Sequence, residues 1–130
     1  MPFDWRDFLI VAHELRNDAR EGVQRTCLSR TYYYVYHLGL SKARATHFTG
    51  QRPGLHSRLW HWCENHSDPT IKQMGIDGLR MYSLRIDADY KDSPIPTLVR
   101  EVKTQLTRAQ MFEALVAQSD GQTPPTPLAP

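Results

Sequence analysis

The residues best suited to chemistry lie in the stretch SRTYYYVYH, which runs from Ser29 to His37. It places Arg30 seven residues before His37, with four tyrosines between them. On an α-helix this spacing is two turns, so both side chains would project from nearly the same face, about 10 Å apart along the axis. A neutral imidazole can accept the proton of a ribose 2′-hydroxyl, and a guanidinium can stabilise charge on the attacked phosphate. The pair is therefore a candidate for metal-free RNA cleavage that leaves a 2′,3′-cyclic phosphate.

Spacing alone also leaves a packing explanation open for the same residues. In that explanation Arg30 pairs with an acid such as Glu14 or Asp89, and His37 is a helix residue with one satisfied ring nitrogen. The tyrosines cover all sides of a helix, so some must pack against other helices while others face solvent, a groove or a second subunit. Stacking on RNA bases and packing at helix contacts are both compatible with this pattern.

Composition restricts the class of protein. The 130 residues are 40% hydrophobic and 23% charged, which is typical of one soluble globular domain. A net charge of +2 and a pI near 8.6 permit RNA binding without indicating it, because nucleic-acid-binding domains usually exceed a pI of about 9. No apolar run approaches the roughly 20 residues that span a bilayer, and the start MPFDWRDF does not resemble a signal peptide. We therefore expect a cytoplasmic protein with no membrane contact, in which Cys27 and Cys63 are buried thiols.

Apolar residues at helical spacing predict five helices and no strand. Asp68 is the predicted N-cap of the fourth helix, with Pro69 at its first position. Gly75 and Gly78 lie inside that helix, where each glycine costs about 1 kcal/mol relative to Ala, so we expect them to allow close approach of a neighbouring helix. The predicted helices begin near Asp4, Gln24, Leu55, Pro69 and Thr97, and they end before Gly22, near Phe48, at His66, at Tyr90 and near Val116.

These elements predict an all-α fold, a single-domain helical bundle of about five helices over residues 1–118. Residues 119–130 include DGQTPPTPLAP, with four prolines and no core residues. We expect a proline-rich tail that is disordered unless a partner holds it.

The histidines and the cysteine around the third helix make this segment a candidate metal site. Successive steps of five residues rotate a helix position by about 140°, so the three histidines of this segment cannot share a face. Nucleophile and phosphate-cradle motifs are absent from the sequence as well. We therefore expect neither a metal nor a cofactor. The candidate metal ligands in this segment are His56, His61, Cys63 and His66.

Four segments together resemble the HEPN superfamily: SRTYYYVYH, PGLHSRLW, LRMYSLRIDADY and TRAQMFEAL. The chain is most similar to short HEPN proteins associated with minimal nucleotidyltransferases, over about residues 5–116. The resemblance implies a HEPN-like bundle that commonly forms a homodimer and belongs to bacterial toxin-antitoxin, antiviral defence or CRISPR-linked systems. Many members of the superfamily are ribonucleases whose catalytic Arg and His are separated by four to six residues, with the site composed at the dimer interface.

The chain departs from this pattern in the segment RIDADY. Arg85 is followed five positions later by Tyr90, where an active member often has His. We predict His37 as the acid–base residue and Arg30 and Arg85 as phosphate-binding residues of a metal-independent endoribonuclease, with a site at a dimer interface. The predicted binding residues are Tyr33, Asp89 and Tyr90.

The alternative is a non-catalytic HEPN module that assembles with a nucleotidyltransferase or a larger defence effector. Tyr90 favours this alternative, whereas the polar pair on the second helix favours the enzyme. A third option is a structural bundle whose tyrosines mediate dimer contacts.

Overall fold

The computed structural model describes residues 2–130, which form five α-helices and no strand. This architecture confirms the predicted all-α helical bundle. The helices are α1 (Arg6–Leu15), α2 (Glu21–Ala45), α3 (Leu55–Glu64), α4 (Pro69–Tyr90) and α5 (Leu98–Ser119). The three long helices α2, α4 and α5 form the centre, with α1 packed on α2 and α5 and with α3 packed mainly on α4. Within this part of the chain, no helix has both the length and the apolar character needed to cross a membrane.

The start of α4 follows from local chain chemistry. Asp68 Oδ1 accepts a hydrogen bond from the backbone N–H of Thr70 at 2.8 Å, and Pro69 occupies the first turn. A carboxylate at this position satisfies one of the free N–H groups that every helix start exposes. The predicted cap is confirmed.

The boundary between α1 and α2 differs from the prediction. Gly22 lies in the first turn of α2, so the prediction that it ends the first helix was wrong. The chain turns instead at Asp18, whose Oδ1 accepts from the backbone N–H of Arg20 at 3.0 Å. An Asp that bonds the backbone two residues later makes a turn without glycine, and apolar spacing does not reveal it.

The core is organised around Trp60 of α3, which has no exposed surface. Its ring fills a slot between two glycines: a Cβ atom on Gly78 of α4 would lie 2.2 Å from the ring, and one on Gly39 of α2 would lie 2.7 Å from it. The ring meets that of Phe112 of α5 at 90° with centres 6.1 Å apart. A Cβ on Gly75 would lie 2.2 Å from a backbone nitrogen of α3, so the close approach predicted for the glycines of α4 is confirmed.

A buried polar network connects α1, α2 and α5. The carboxylate of Glu113 accepts from Nε and Nη2 of Arg6 at 3.0 Å each and from the hydroxyl of Tyr34 at 2.5 Å. Burial, reinforced by Glu113, raises the pKa of Tyr34 well above its usual value, so its hydroxyl remains a donor. A bidentate guanidinium–carboxylate pair is directional, and it therefore fixes the register of α1 against α5.

Residues 122–130 follow α5 without regular secondary structure and run along α1 and α5. The side chain of Leu128 packs against the core. The sequence predicts order in this tail only where a partner holds it. In the structure, the surface that contacts the tail belongs to the chain itself. Disorder of the tail in solution stays a prediction.

Substitution of Gly78 by Ala tests the slot around Trp60. We expect Gly78→Ala to lower the free energy of unfolding by about 1–3 kcal/mol, because overlap with the rigid indole outweighs a propensity gain of at most about 1 kcal/mol. In the control variant Gly22→Ala, the new methyl group meets no atom within 4 Å, so stability should stay equal or rise. Urea unfolding followed by circular dichroism measures both variants, and equal stability of the two would contradict the packing described.

Candidate functional site

A groove of about 500 Å³ opens between α2, the start of α3 and α4. Positions 33, 36 and 37 of α2 share a face because they are three and four residues apart. The loop before α3 and the first turn of α3 form a second wall, and α4 adds a tyrosine. The residues that define this aromatic groove are Tyr33, Tyr36, His37, Arg52, His56 and Tyr82.

A hydrogen-bond chain from the core determines the tautomer of His56. Nε1 of Trp60, which can only donate, bonds to the hydroxyl oxygen of Tyr32 at 2.9 Å. The Tyr32 hydroxyl is 2.6 Å from Nδ1 of His56, and burial raises the pKa of this tyrosine so that it keeps its proton. The hydroxyl therefore donates to Nδ1, and the imidazole of His56 carries its own proton on Nε2.

The electrostatic surroundings keep His56 neutral. Its ring stacks on those of Tyr36 and Tyr82, with centres 3.9 and 5.5 Å apart respectively. Burial, together with the positive charges of Arg85 and Arg52, lowers the pKa of His56 to about 4. With Nδ1 engaged and Nε2 protonated, His56 offers the groove a hydrogen-bond donor.

His37 differs from His56 because no hydrogen bond holds its ring within residues 2–130. Its imidazole lies parallel to the indole of Trp5, with ring centres 3.4 Å apart and an interplanar angle of 7°. Burial alone lowers its pKa. His37 is therefore a neutral imidazole with uncommitted nitrogens, whereas the packing explanation requires one satisfied nitrogen.

Arg85 is buried behind the groove, with 6% of its surface exposed. Its guanidinium carbon lies 5.0–5.6 Å from the ring centres of Tyr32, Tyr33 and Tyr82. Among the described residues its ion-pair partner is Asp89 at 3.6 Å, beyond hydrogen-bond length, and its Nε has no partner there. Aromatic faces stabilise the cation, but its charge is incompletely balanced, which favours an anion in the adjacent groove.

Arg30 lies on the outer side of Tyr33. Its guanidinium carbon is 5.1 Å from the ring centre of Tyr33 and 5.0 Å from that of Phe8. Among the described residues, Arg30 forms no ion pair with Glu14 or Asp89, in contrast to the packing explanation. Tyr33 thus lies within about 5 Å of two guanidinium groups, those of Arg30 and Arg85.

The end of α4 places the last two predicted binding residues outside the groove. Asp89 accepts a hydrogen bond from Oγ of Ser29 at 3.3 Å and lies beside Arg85. Tyr90 is 72% exposed and borders a separate shallow depression with Arg25. The structure therefore brings His37 and Tyr33 together in the groove, and both Arg85 and Arg30 contact Tyr33 from outside the groove lining. It does not bring Tyr90 to them.

Four groove residues were not among the predicted site residues: Tyr36, Arg52, His56 and Tyr82. From the sequence, His56 is considered only as a candidate metal ligand, although it lies in the segment PGLHSRLW that carries part of the HEPN resemblance. Its position at a helix start was the available signal. Arg52 had no signal, because a loop arginine has no periodicity.

Thiol and metal chemistry have little support in the geometry. Within residues 2–130, no three His, Cys, Asp or Glu side chains are arranged to hold a metal ion. Cys27 and Cys63 are buried free thiols, and burial raises the pKa of Cys63 to about 12. A buried thiol with a raised pKa is a poor nucleophile.

Comparison with known proteins adds no evidence on the family or the function of this chain. No family model, curated protein or solved structure matches the chain. The HEPN resemblance therefore rests on the four sequence segments, and its functional content is a proposal.

The neutral state of His56 has a measurable consequence for stability. Its pKa is about 4 in the folded chain against an ordinary value of 6.5, so between these pH values the unfolded chain binds a proton that the folded chain does not. The free energy of unfolding should therefore fall as the pH is lowered through this window. Urea unfolding should show a shallower pH dependence for His56→Gln than for the parent.

Nuclear magnetic resonance of the ring nitrogens should show His56 neutral, with its proton on Nε2, throughout the neutral range. A His56 resonance that titrates near the ordinary value of 6.5 would contradict the hydrogen-bond chain from Trp60.

Proposed function

We propose that this chain is a HEPN-type protein that cleaves RNA without a metal ion, using the aromatic groove as its site. The observation that carries the proposal is the imidazole of His37, whose nitrogens make no hydrogen bond to residues 2–130 and whose pKa burial lowers, at the same groove as His56 and Arg52. A lowered pKa keeps His37 in its base form at neutral pH, which is the form that accepts a proton.

In the proposed reaction, His37 accepts the proton of a ribose 2′-hydroxyl as that oxygen attacks the adjacent phosphorus. The bond from phosphorus to the 5′ oxygen breaks, and the leaving oxygen takes a proton from solvent water, so the products are a 2′,3′-cyclic phosphate and a 5′-hydroxyl. Arg52 and the Nε2–H of His56 would stabilise the charge on the non-bridging oxygens. The roles predicted for Arg85 and Arg30 change in this proposal: both guanidinium groups lie on aromatic rings, and they contribute positive potential.

The tyrosines of the groove support a single-stranded substrate. Tyr33 and Tyr82 are partly exposed beside the two imidazoles, and a nucleobase stacks on such aromatic surface whatever its identity. The net charge of +2 adds little long-range attraction. We therefore expect weak, salt-sensitive RNA binding in which stacking contributes much of the affinity.

An aromatic patch beside the groove supports assembly. Phe3 and Trp5 are 51% and 39% exposed, their rings are 4.9 Å apart, and Trp5 stacks on His37. A second copy placed on this patch in a cytoplasmic homodimer could bring the partly exposed Arg30 of one chain towards His37 of the other, whereas Arg85 is too deeply buried to reach it. The same patch supports the alternative function, a non-catalytic HEPN module that binds a nucleotidyltransferase or defence effector.

An RNA cleavage assay in EDTA tests the proposal. The parent should release fragments with 2′,3′-cyclic phosphate ends, and His37→Ala should lower the rate at least about 100-fold because the proton acceptor is lost. Arg52→Ala should also lower the rate, whereas His61→Ala, at an exposed position outside the groove, should match the parent. Circular dichroism verifies that each variant keeps its helical content.

The outcomes separate the two functions. Cleavage that persists in His37→Ala would remove the groove as the site of reaction. Absence of cleavage by the parent would favour the assembly module, and the aromatic patch would then be its binding surface.

A further inference from the structure

A second set of polar side chains lies on α1, away from the aromatic groove. Arg6, His13 and Arg16 share one side of this helix, because seven and ten residues are about two and three turns. Each of them bonds a backbone carbonyl of the proline-rich tail. Nη2 of Arg6 donates to the carbonyl oxygen of Thr126 at 3.0 Å. Nε2 of His13 donates to that of Ala129 at 2.5 Å, and Nη2 of Arg16 donates to that of Pro130 at 3.0 Å.

Helix α5 supplies the opposite wall of this α1–α5 groove. Oε1 of Gln110 accepts from the backbone N–H of Leu128 at 2.8 Å, and the Leu128 side chain packs against the core. About 480 Å³ of space lies beside the docked tail, bordered by Lys103 and Thr107. The surface thus contacts both the main chain and one apolar side chain of an extended segment.

The chemistry of the tail matches these walls. The groove offers three donors for carbonyl oxygens and one acceptor for an N–H. Pro127 and Pro130 carry no backbone N–H, so they leave no donor unsatisfied on the surface. Leu128 lies between them, donates its N–H and packs a partly buried side chain against the core.

The donors are held in place by bonds that do not involve the tail. Arg6 makes two hydrogen bonds to Glu113, and Nη1 of Arg16 donates to the backbone carbonyl of His13 at 2.7 Å. A site whose donors are ordered before the ligand arrives loses less conformational entropy on binding. This is the property of a binding site, and it is not required of a chain end that merely covers a surface.

We propose that the α1–α5 groove is a recognition site for an extended proline-rich peptide with one leucine, and that the chain's own segment 126–130 is its ligand. Docking within the chain benefits from a high effective concentration, so a short segment with one apolar anchor suffices. The docked segment is therefore displaceable, and a free peptide of the same sequence binds when the tail is released. This inference is independent of the RNA proposal, because it uses other residues and needs no catalysis.

Fluorescence anisotropy with a labelled peptide GQTPPTPLAP, residues 121–130, tests the proposal on the full-length chain. The variant Leu128→Asp releases the tail by placing a charge at its apolar anchor, and circular dichroism verifies that its helices remain. We expect this variant to bind the peptide saturably, and the parent to bind at least tenfold more weakly because its own tail occupies the groove. A peptide with the same Leu-to-Asp change should bind neither chain.

A second substitution identifies the groove as the binding surface. Adding Arg16→Ala to the Leu128→Asp chain should weaken peptide binding by about tenfold or more, because a charged donor is lost. No saturable binding to the folded Leu128→Asp chain would overturn the proposal. Equal binding of the peptide by the parent and by Leu128→Asp would also overturn it, since the tail would then not occupy the groove.

Discussion

The buried N–H of Trp60 is the constraint on which the rest of the structure depends. Its indole fills the slot between the glycines of α2 and α4, where no water can reach its nitrogen. A buried donor without an acceptor is costly, so the hydroxyl of Tyr32 must lie at its edge. That hydroxyl then donates to His56. The packing of the core thus determines which nitrogen of a groove histidine carries the proton.

The aromatic groove combines neutral imidazoles with permanent cations. Burial lowers the pKa of His37 and of His56, whereas the guanidinium of Arg85 cannot lose its proton and is stabilised on tyrosine faces. The proton acceptor His37 and the hydrogen-bond donor His56 therefore lie in a positive field. An anion entering the groove would favour the protonated form of His37 at the moment when that residue accepts a proton, which suits attack on a phosphodiester.

Helix α1 links the two surfaces of the molecule. Arg6 is clamped on Glu113 and also donates to the tail, while the preceding residue, Trp5, stacks on His37. The position of this short helix against α5 thus sets both the cover over the imidazole and the donors of the α1–α5 groove. The buried ion pair between Arg6 and Glu113 fixes both features, because a bidentate pair sets direction as well as distance.

Five helices, the cap at Asp68 and the close contact at the glycines of α4 were predictable from the residues alone, since periodicity, capping and glycine chemistry act over a few residues. His37 was indicated in the same way, because spacing along one helix defines a shared face. That His56 and Arg52 join His37, that Tyr90 lies outside the groove and that the tail docks on α1 all depend on how the helices pack. These relations join residues on different helices and loops, and their distances depend on how the helices pack, which no spacing within one helix encodes.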